Sequence, residues 1–204
     1  MAPYLETVKS FADVPVTDAG VDTVAFLEAS KGLVGLFDIL GSAAFTMVVS
    51  DLNGNIAKVK ARYDAAPTLS GTLEQLVENE KKEKKQPATE GLMWLLRGLI
   101  FTCKALQTTQ ADKSTELAAA FSAAYEGTLK QFHNFVVKGA FAVAMKACPY
   151  RAGFYEKLAA DPSGGAPALQ DNVDTQLDSW LAALQSIVTR LDAFYKKGGY
   201  GKVL

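Results

Sequence analysis

Residues 50–64 read SDLNGNIAKVKARYD, and the fold turns on whether this stretch is a helix. As a helix it sets Asp51, Asn55 and Lys58 at i, i+4 and i+7, on one face. Leu52, Ile56, Val59 and Tyr63 form a second, apolar stripe at i, i+4, i+7 and i+11. A carboxylate accepts hydrogen bonds, an amide accepts and donates, and an ammonium donates. In line beside an apolar stripe, these groups suit a polar ligand gripped by its hydroxyls and amides. They include no obvious nucleophile. The rival reading is a hairpin. Asn53-Gly54 between apolar runs is a strong short-range turn signal, and Lys58, Lys60 and Arg62 alternate with Val59, Ala61 and Tyr63 as in a strand. Local pattern leaves the two readings open, so the rest of the chain must decide.

Outward from that stretch the periodicity is helical. Residues 1–20, with Pro3 and Pro15, read as a tail with one short helical piece. Asp22 caps a helix starting at Thr23, and an apolar run continues to Leu40 before Gly41-Ser42. Ala65-Ala66-Pro67 ends the opening stretch. Thr72 begins a helix that runs into the mixed charges of residues 80–85 and breaks at Gln86-Pro87. A strong helix spans 88–106, with Trp94, Arg97 and Phe101 at i, i+3 and i+7, followed by a polar loop over 108–113. Ser114 is expected to cap one long helix reaching about Met145, on which Leu129, His133, Val136 and Phe141 share a face. Pro149 closes it. Further helices are expected over 150–160 and 172–195, separated by the Pro- and Gly-rich loop 161–167. No second hairpin is evident, and a two-stranded ribbon is marginal alone. The all-α surroundings therefore favour helix for 50–64, in one domain over residues 1–204.

Bulk properties exclude some functions. The chain has 204 residues, 49% of them hydrophobic, a mean hydropathy of +0.08, net charge −1 and pI near 5.9. That balance argues against bulk electrostatic binding to nucleic acid. Cys103 and Cys148 belong to no CxxC motif and suit a reduced, intracellular protein with two core thiols, and a cytoplasmic location is expected. The first residues, MAPYLETVKSFADV, lack a signal-peptide pattern. Arg97 and Lys138 break the longest apolar runs, so membrane contact is expected to be peripheral and transient.

His133 is the single histidine. A buried neutral imidazole is the plain reading. Zinc is disfavoured because the usual sites need several His or Cys ligands. No Gly-x-Ser-x-Gly elbow supports a Ser-His-Asp hydrolase. Haem ligation by His133 and a lipid hydrolase using Asp51 with His133 stay as alternatives. Trp94 is either core or a platform for the C–H face of a sugar. Arg97 either orients Asp51 or lies on the surface.

Three stretches narrow these options: SDLNGNIAKVKARYD, GLMWLLRGLIF (91–101) and LKQFHNFVVKGAFAVAMKACPYRAGF (129–154). In sequence, order and spacing they closely resemble the glycolipid transfer protein family, in its sugar-binding branch and most of all its fungal members. The resemblance covers roughly residues 21–158. It implies an all-α, two-layer helical sandwich of about eight helices and a non-enzymatic carrier of glycosphingolipids between membranes. It implies no cofactor and no metal, a monomer, and a ligand such as galactosyl- or glucosylceramide. Carried over, Asp51, Asn55 and Lys58 hydrogen-bond the first sugar and the ceramide amide, Trp94 stacks on the sugar, and His133 bonds the ceramide carbonyl. Tyr200 is a more variable sugar contact. Phe37, Phe45, Val48, Phe101, Leu129, Phe141, Phe154 and Val203 surround the pocket for the lipid chains. Phe135 and Lys146 depart from the tryptophan and tyrosine of animal members at the membrane-facing surface. With Lys138 and Tyr150 they suggest a mixed basic and aromatic docking face. The 161–167 loop has no clear counterpart.

Overall fold

The computed structural model describes residues 3–204, which hold nine α-helices. The decisive stretch lies inside α3 (Thr46–Ala65), unbroken through Asn53 and Gly54. Its Leu52, Ile56 and Val59 are buried, whereas Asn53 and Gly54 face solvent. Burial of the apolar stripe thus overrides the local turn signal.

That stripe packs against α5 (Pro87–Ala111), which also packs on α4 (Leu73–Glu80), α6 (Leu117–Gly127) and α9 (Gln170–Gly198). Two glycines on α5 let α3 come close. A β-carbon on Gly98 would sit 2.6 Å from Leu52 Cδ2, and one on Gly91 would sit 3.0 Å from Lys58 Cβ. The same crossing sets Asp51, Asn55 and Lys58 beside Trp94. Gly98→Val is expected to push Leu52 aside, part the two helices and cost about 1–3 kcal/mol of stability, measured by denaturant unfolding.

The remaining helices complete two packed layers. α2 (Thr23–Leu40) is capped by Asp22, whose Oδ1 accepts from Ala25 N at 2.8 Å. Thr72 and Gln75 form a reciprocal capping box on α4. Glu80, 1% exposed, accepts from the amides of Ala88 and Thr89 at the start of α5. α9 buries Val173, Leu177, Trp180, Leu181, Leu184, Ile187, Val188, Leu191 and Tyr195 along one face.

Four local expectations are corrected. The tail holds α1 (Tyr4–Thr7), a 3-10 turn over Phe11–Asp13, and a small antiparallel hairpin of β1 (Val16–Thr17) and β2 (Gly20–Val21). The hairpin is pinned from outside: Glu74 accepts from Val21 N at 2.8 Å and pairs with Arg190 at 2.7 Å. Residues 108–111 continue α5, because their hydroxyls find partners within the helical register. Thr108 donates to the Lys104 carbonyl and buried Thr109 to the Leu106 carbonyl at 2.9 Å, with Tyr155 Oη adding a contact from outside at 3.0 Å. Ser114 caps no helix; its hydroxyl donates to Asp112 Oδ1 at 2.6 Å in a turn before α6.

The expected long helix up to Met145 is two helices. α6 ends at Gly127, a 3-10 turn covers Lys130–Phe132, and α7 runs from Phe135 to Lys146. Gly127 weakens helix continuation. Asn134 restarts it, its side chain accepting from both Val136 N and Val137 N at 3.1 Å. His133 therefore sits in extended backbone at a corner, not on a helix face. α8 (Arg151–Ala159) follows Pro149 and packs on α2 and α9.

Candidate functional site

A cleft of about 300 Å³ opens between α3, α5, the 129–133 corner and α7. Its lining includes Asp51, Asn55 and Lys58 from α3, Trp94 from α5, and His133. Val48, Leu129 and Phe141, from the expected lipid pocket, line it too. So do Met47, Leu52, Glu90, Gly98 and Val137, which were not singled out for the site. Glu90, Trp94 and Gly98 recur at i, i+4 and i+8, a spacing that marks one face of α5. Val136, expected beside His133, is 63% exposed on the outside instead.

The α3 residues form a short relay. Lys58 Nζ donates to Asn55 Oδ1 at 3.2 Å, and Asn55 Nδ2 donates to Asp51 Oδ2 at 3.2 Å. Asn55 is only 3% exposed, so both ends of its amide are engaged and its orientation is set. Asp51 stands open to solvent on its outer side. Desolvation on its inner side raises its pKa above the ordinary carboxylate value, against the opposing pull of Lys58 and the Asn55 hydrogen bond. A carboxylate held there with few partners is primed to accept from a ligand.

His133 is held on several sides. Its ring lies nearly parallel to Trp94 (14°, centroids 5.9 Å apart) and 4.8 Å from Phe141. Tyr125 Oη is 3.1 Å from Nδ1. Desolvation, then the charges of Arg97 and Lys138, lower its pKa and keep the imidazole neutral. Asp51 and His133 bond to different partners, so the pair does not form the base-and-orienter arrangement of a hydrolase.

Arg97 follows neither expected course. It is 6% exposed and its guanidinium lies 3.6 Å from the Phe132 centroid and 4.4 Å from that of Trp94. It donates to the Lys202 carbonyl near the C-terminus. Burial lowers its pKa. Arg97 thus ties Trp94, the 129–133 corner and the segment at Lys202 together, mostly through ring faces.

Behind the cleft runs a file of rings. Phe141 meets Phe101 at 5.9 Å, Phe101 meets Phe121 at 5.4 Å, Phe121 meets Phe45 at 6.3 Å, and Phe45 meets Phe37 at 5.3 Å. All five are buried, and Phe121 is an addition to the residues expected for the lipid chains. Phe154 lies off this file against Tyr155, and Val203 borders a separate small hollow beside Arg97. Tyr200 stands outside the cleft. Its ring stacks on Phe194 at 5.1 Å and lines a neighbouring hollow with Lys85, Met93 and Glu90, the last shared with the cleft.

Comparison with known proteins gives this geometry a context. A family model described as Glycolipid transfer protein (GLTP) matches residues 21–160. The chain is 45% identical over 192 residues to a glycolipid transfer protein of Aureobasidium melanogenum, covering 94% of this chain and 92% of the relative. The crystal structure of HET-C2, a fungal glycolipid transfer protein, superposes with a TM-score of 0.87 at 44% identity, over 95% of this chain and 96% of that one. A structure showing how FAPP2 selects simple glycosphingolipids using the same fold superposes with a TM-score of 0.84 at 29% identity, over 98% of both chains.

Proposed function

Because this chain belongs to the glycolipid transfer protein family, we propose that it carries glycosphingolipids between membranes, with Asp51, Asn55, Lys58, Trp94 and His133 as the head-group clamp. The observation that supports this most is the convergence of the three polar α3 residues, the indole and the imidazole on one cleft with an apolar floor. The protein is a carrier and not an enzyme. Asp51 accepts from sugar hydroxyls and the ceramide N–H, Lys58 and Asn55 donate to the sugar, Trp94 stacks on it, and His133 donates to the ceramide carbonyl. Galactosyl- and glucosylceramide fit this set. Neither haem ligation by His133 nor lipid hydrolysis is favoured by any feature of the site.

The cargo needs a slot because each exposed CH₂ costs about 0.8 kcal/mol in water. The cleft holds a sugar and an amide but is too small for two long chains. The chains enter by parting the ring file from Phe141 towards Phe37, which close-packs when empty. Selection among head groups rests on the penalty of leaving Asp51 or His133 unpaired with the wrong one.

Loading takes place at a membrane surface, with the protein acting as a monomer from the cytoplasm. No helix among the described residues is long and apolar enough to cross a membrane. α7 presents Phe135 (84% exposed), Val136 and Val143 outward, Tyr150 is 82% exposed, and Met47 projects at the cleft rim. These apolar groups, with Lys138 and Lys146, form the docking face. Phe135→Ala with Tyr150→Ala is expected to slow transfer about tenfold while leaving affinity for a short-chain, water-dispersed glucosylceramide unchanged.

The deciding experiment compares fluorescent glucosylceramide, ceramide phosphate and phosphatidylcholine in transfer between vesicles. Intact glucosylceramide is expected to move at least tenfold faster than the other two. Equal movement of phosphatidylcholine, or release of free sugar or fatty acid, would overturn the proposal.

A further inference from the structure

Tyr125 has no place in the clamp, yet it is 3% exposed and engaged at both ends. Its ring lies parallel to Phe141 (14°, centroids 4.9 Å apart), and Phe101 abuts it edge-on at 6.2 Å. Its hydroxyl is 3.1 Å from His133 Nδ1. A buried hydroxyl proton needs an acceptor. Nδ1 is the acceptor within reach, and it can accept only when it carries no proton itself. The reverse arrangement, with Nδ1–H donating to the phenol oxygen, would strand the phenol proton in an apolar surround of Phe101 and Phe141. Burial also holds Tyr125 in its protonated form and His133 in its neutral form.

We propose that Tyr125 is a positioning residue that donates to His133 Nδ1 and thereby locks the imidazole as the Nε2–H tautomer. Nε2–H is then the ring's remaining polar group, and His133 lines the cleft. The consequence for recognition rests on the carrier reading above. A secondary amide shows an N–H on one edge and a C=O on the other. Asp51 can only accept when ionised, and a locked His133 can only donate. The pair therefore reads an amide-linked lipid in one orientation. With the other tautomer a nitrogen lone pair would meet the carbonyl lone pairs, and the discrimination would fail.

The Tyr125–His133 contact depends on the break between α6 and α7. Tyr125 and His133 are eight residues apart, too far to touch along one helix. The break after Gly127 and the 3-10 turn over Lys130–Phe132 fold the chain back, so the imidazole meets the phenol.

The single histidine makes the test direct. Protein labelled with ¹⁵N-histidine gives one imidazole spin system, in which a protonated and an unprotonated ring nitrogen are readily told apart. At neutral pH, without ligand, the 204-residue chain is expected to show a protonated Nε2 and a bare Nδ1. Tyr125→Phe keeps the ring against Phe141 but removes the donor. It is expected to give a mixture of tautomers and about tenfold weaker binding of short-chain glucosylceramide. A protonated Nδ1 in the unsubstituted protein would overturn the inference without recourse to any variant. So would an unchanged tautomer in Tyr125→Phe. The spectrum is recorded without lipid, so its outcome is separate from the transfer assay. Nε2–H dependent on Tyr125 alongside absent glycolipid transfer would sink the carrier reading and leave the lock standing.

Discussion

Asp51→Val is expected to lower glucosylceramide transfer between vesicles by about two orders of magnitude while the protein stays folded. Two hydrogen bonds from ligand donors to a carboxylate contribute roughly 1.5–3 kcal/mol each. Even at the low end, their joint loss gives about a hundredfold. The valine also leaves Asn55 Nδ2 without its partner at 3.2 Å, so the relay from Lys58 loses its terminus. Folding should suffer little. Desolvation raises the Asp51 pKa in the folded protein, so the ionised form is disfavoured by folding, and its removal offsets part of the cost of leaving buried Asn55 Nδ2 without a partner. The sign has a corollary in pH. A raised folded pKa means that Asp51 adds stability as pH falls, whereas the proposed clamp needs the carboxylate and should weaken over the same descent. Transfer by the unsubstituted protein should therefore decline on mild acidification from a point above the ordinary carboxylate range. Thermal unfolding at neutral pH should change little for Asp51→Val. A variant that transfers at the normal rate would remove Asp51 from the clamp.

Trp94→Ala should cut transfer by between ten- and a hundredfold, in line with the roughly 1–3 kcal/mol seen for stacking on an aromatic platform. Here stability falls as well, by about 2 kcal/mol, because the indole is structural too. It lies beside His133 and Phe132, and Arg97 rests 4.4 Å from its centroid. Arg97 is buried, and its hydrogen bonds go to the Met93 sulfur and the Lys202 carbonyl, so loss of one ring face leaves its charge poorly compensated. Trp94→Phe should restore most of the stability and a minor part of the transfer, since a smaller ring still supports Arg97 but covers less of a sugar. Intrinsic fluorescence offers a check. Trp180 is 2% exposed and packed 4.9 Å from Phe11, and it does not line the cleft. Emission changes on adding glucosylceramide should therefore vanish in Trp94→Ala. Their persistence would show that the sugar stacks elsewhere.

Much of the architecture was legible because helical periodicity repeats over long segments. The apolar spacing of α9 from Val173 to Tyr195 needs no neighbour to be recognised, and Asp22 and Thr72 mark helix starts by their side-chain chemistry. The small hairpin over Val16–Val21 was not legible. Its strands are two residues each, and the groups that hold it, Glu74 and Arg190, lie far along the chain. The break between α6 and α7 was missed because an apolar pattern continues through it. Gly127 and Asn134 are the local signals. Arg97 was placed at neither of its expected positions, since a guanidinium held by ring faces and a distant carbonyl leaves no pattern in its own neighbourhood.

Residue spacing alone shows that the chain is helical, that Asp51, Asn55 and Lys58 share one face, and that an apolar stripe runs beside them. Those are consequences of spacing along one element, and spacing is all a helix needs to sort its faces. The chain also carries three stretches specific enough to indicate a family. What those residues meet depends on packing between distant segments. Asn53-Gly54 became helix because the Leu52 stripe gains more by burial against Gly98 and its neighbours on α5 than a lone hairpin could. Trp94 came to share a cleft with Asp51 through that crossing, and His133 joined them there through a chain reversal. Tyr200, expected at the same site, stands instead beside a neighbouring hollow, and five of the eight residues expected around the lipid chains lie behind the cleft or away from it. Contacts between segments distant in sequence depend on how packed faces cross, and no local pattern encodes the angle at which they do.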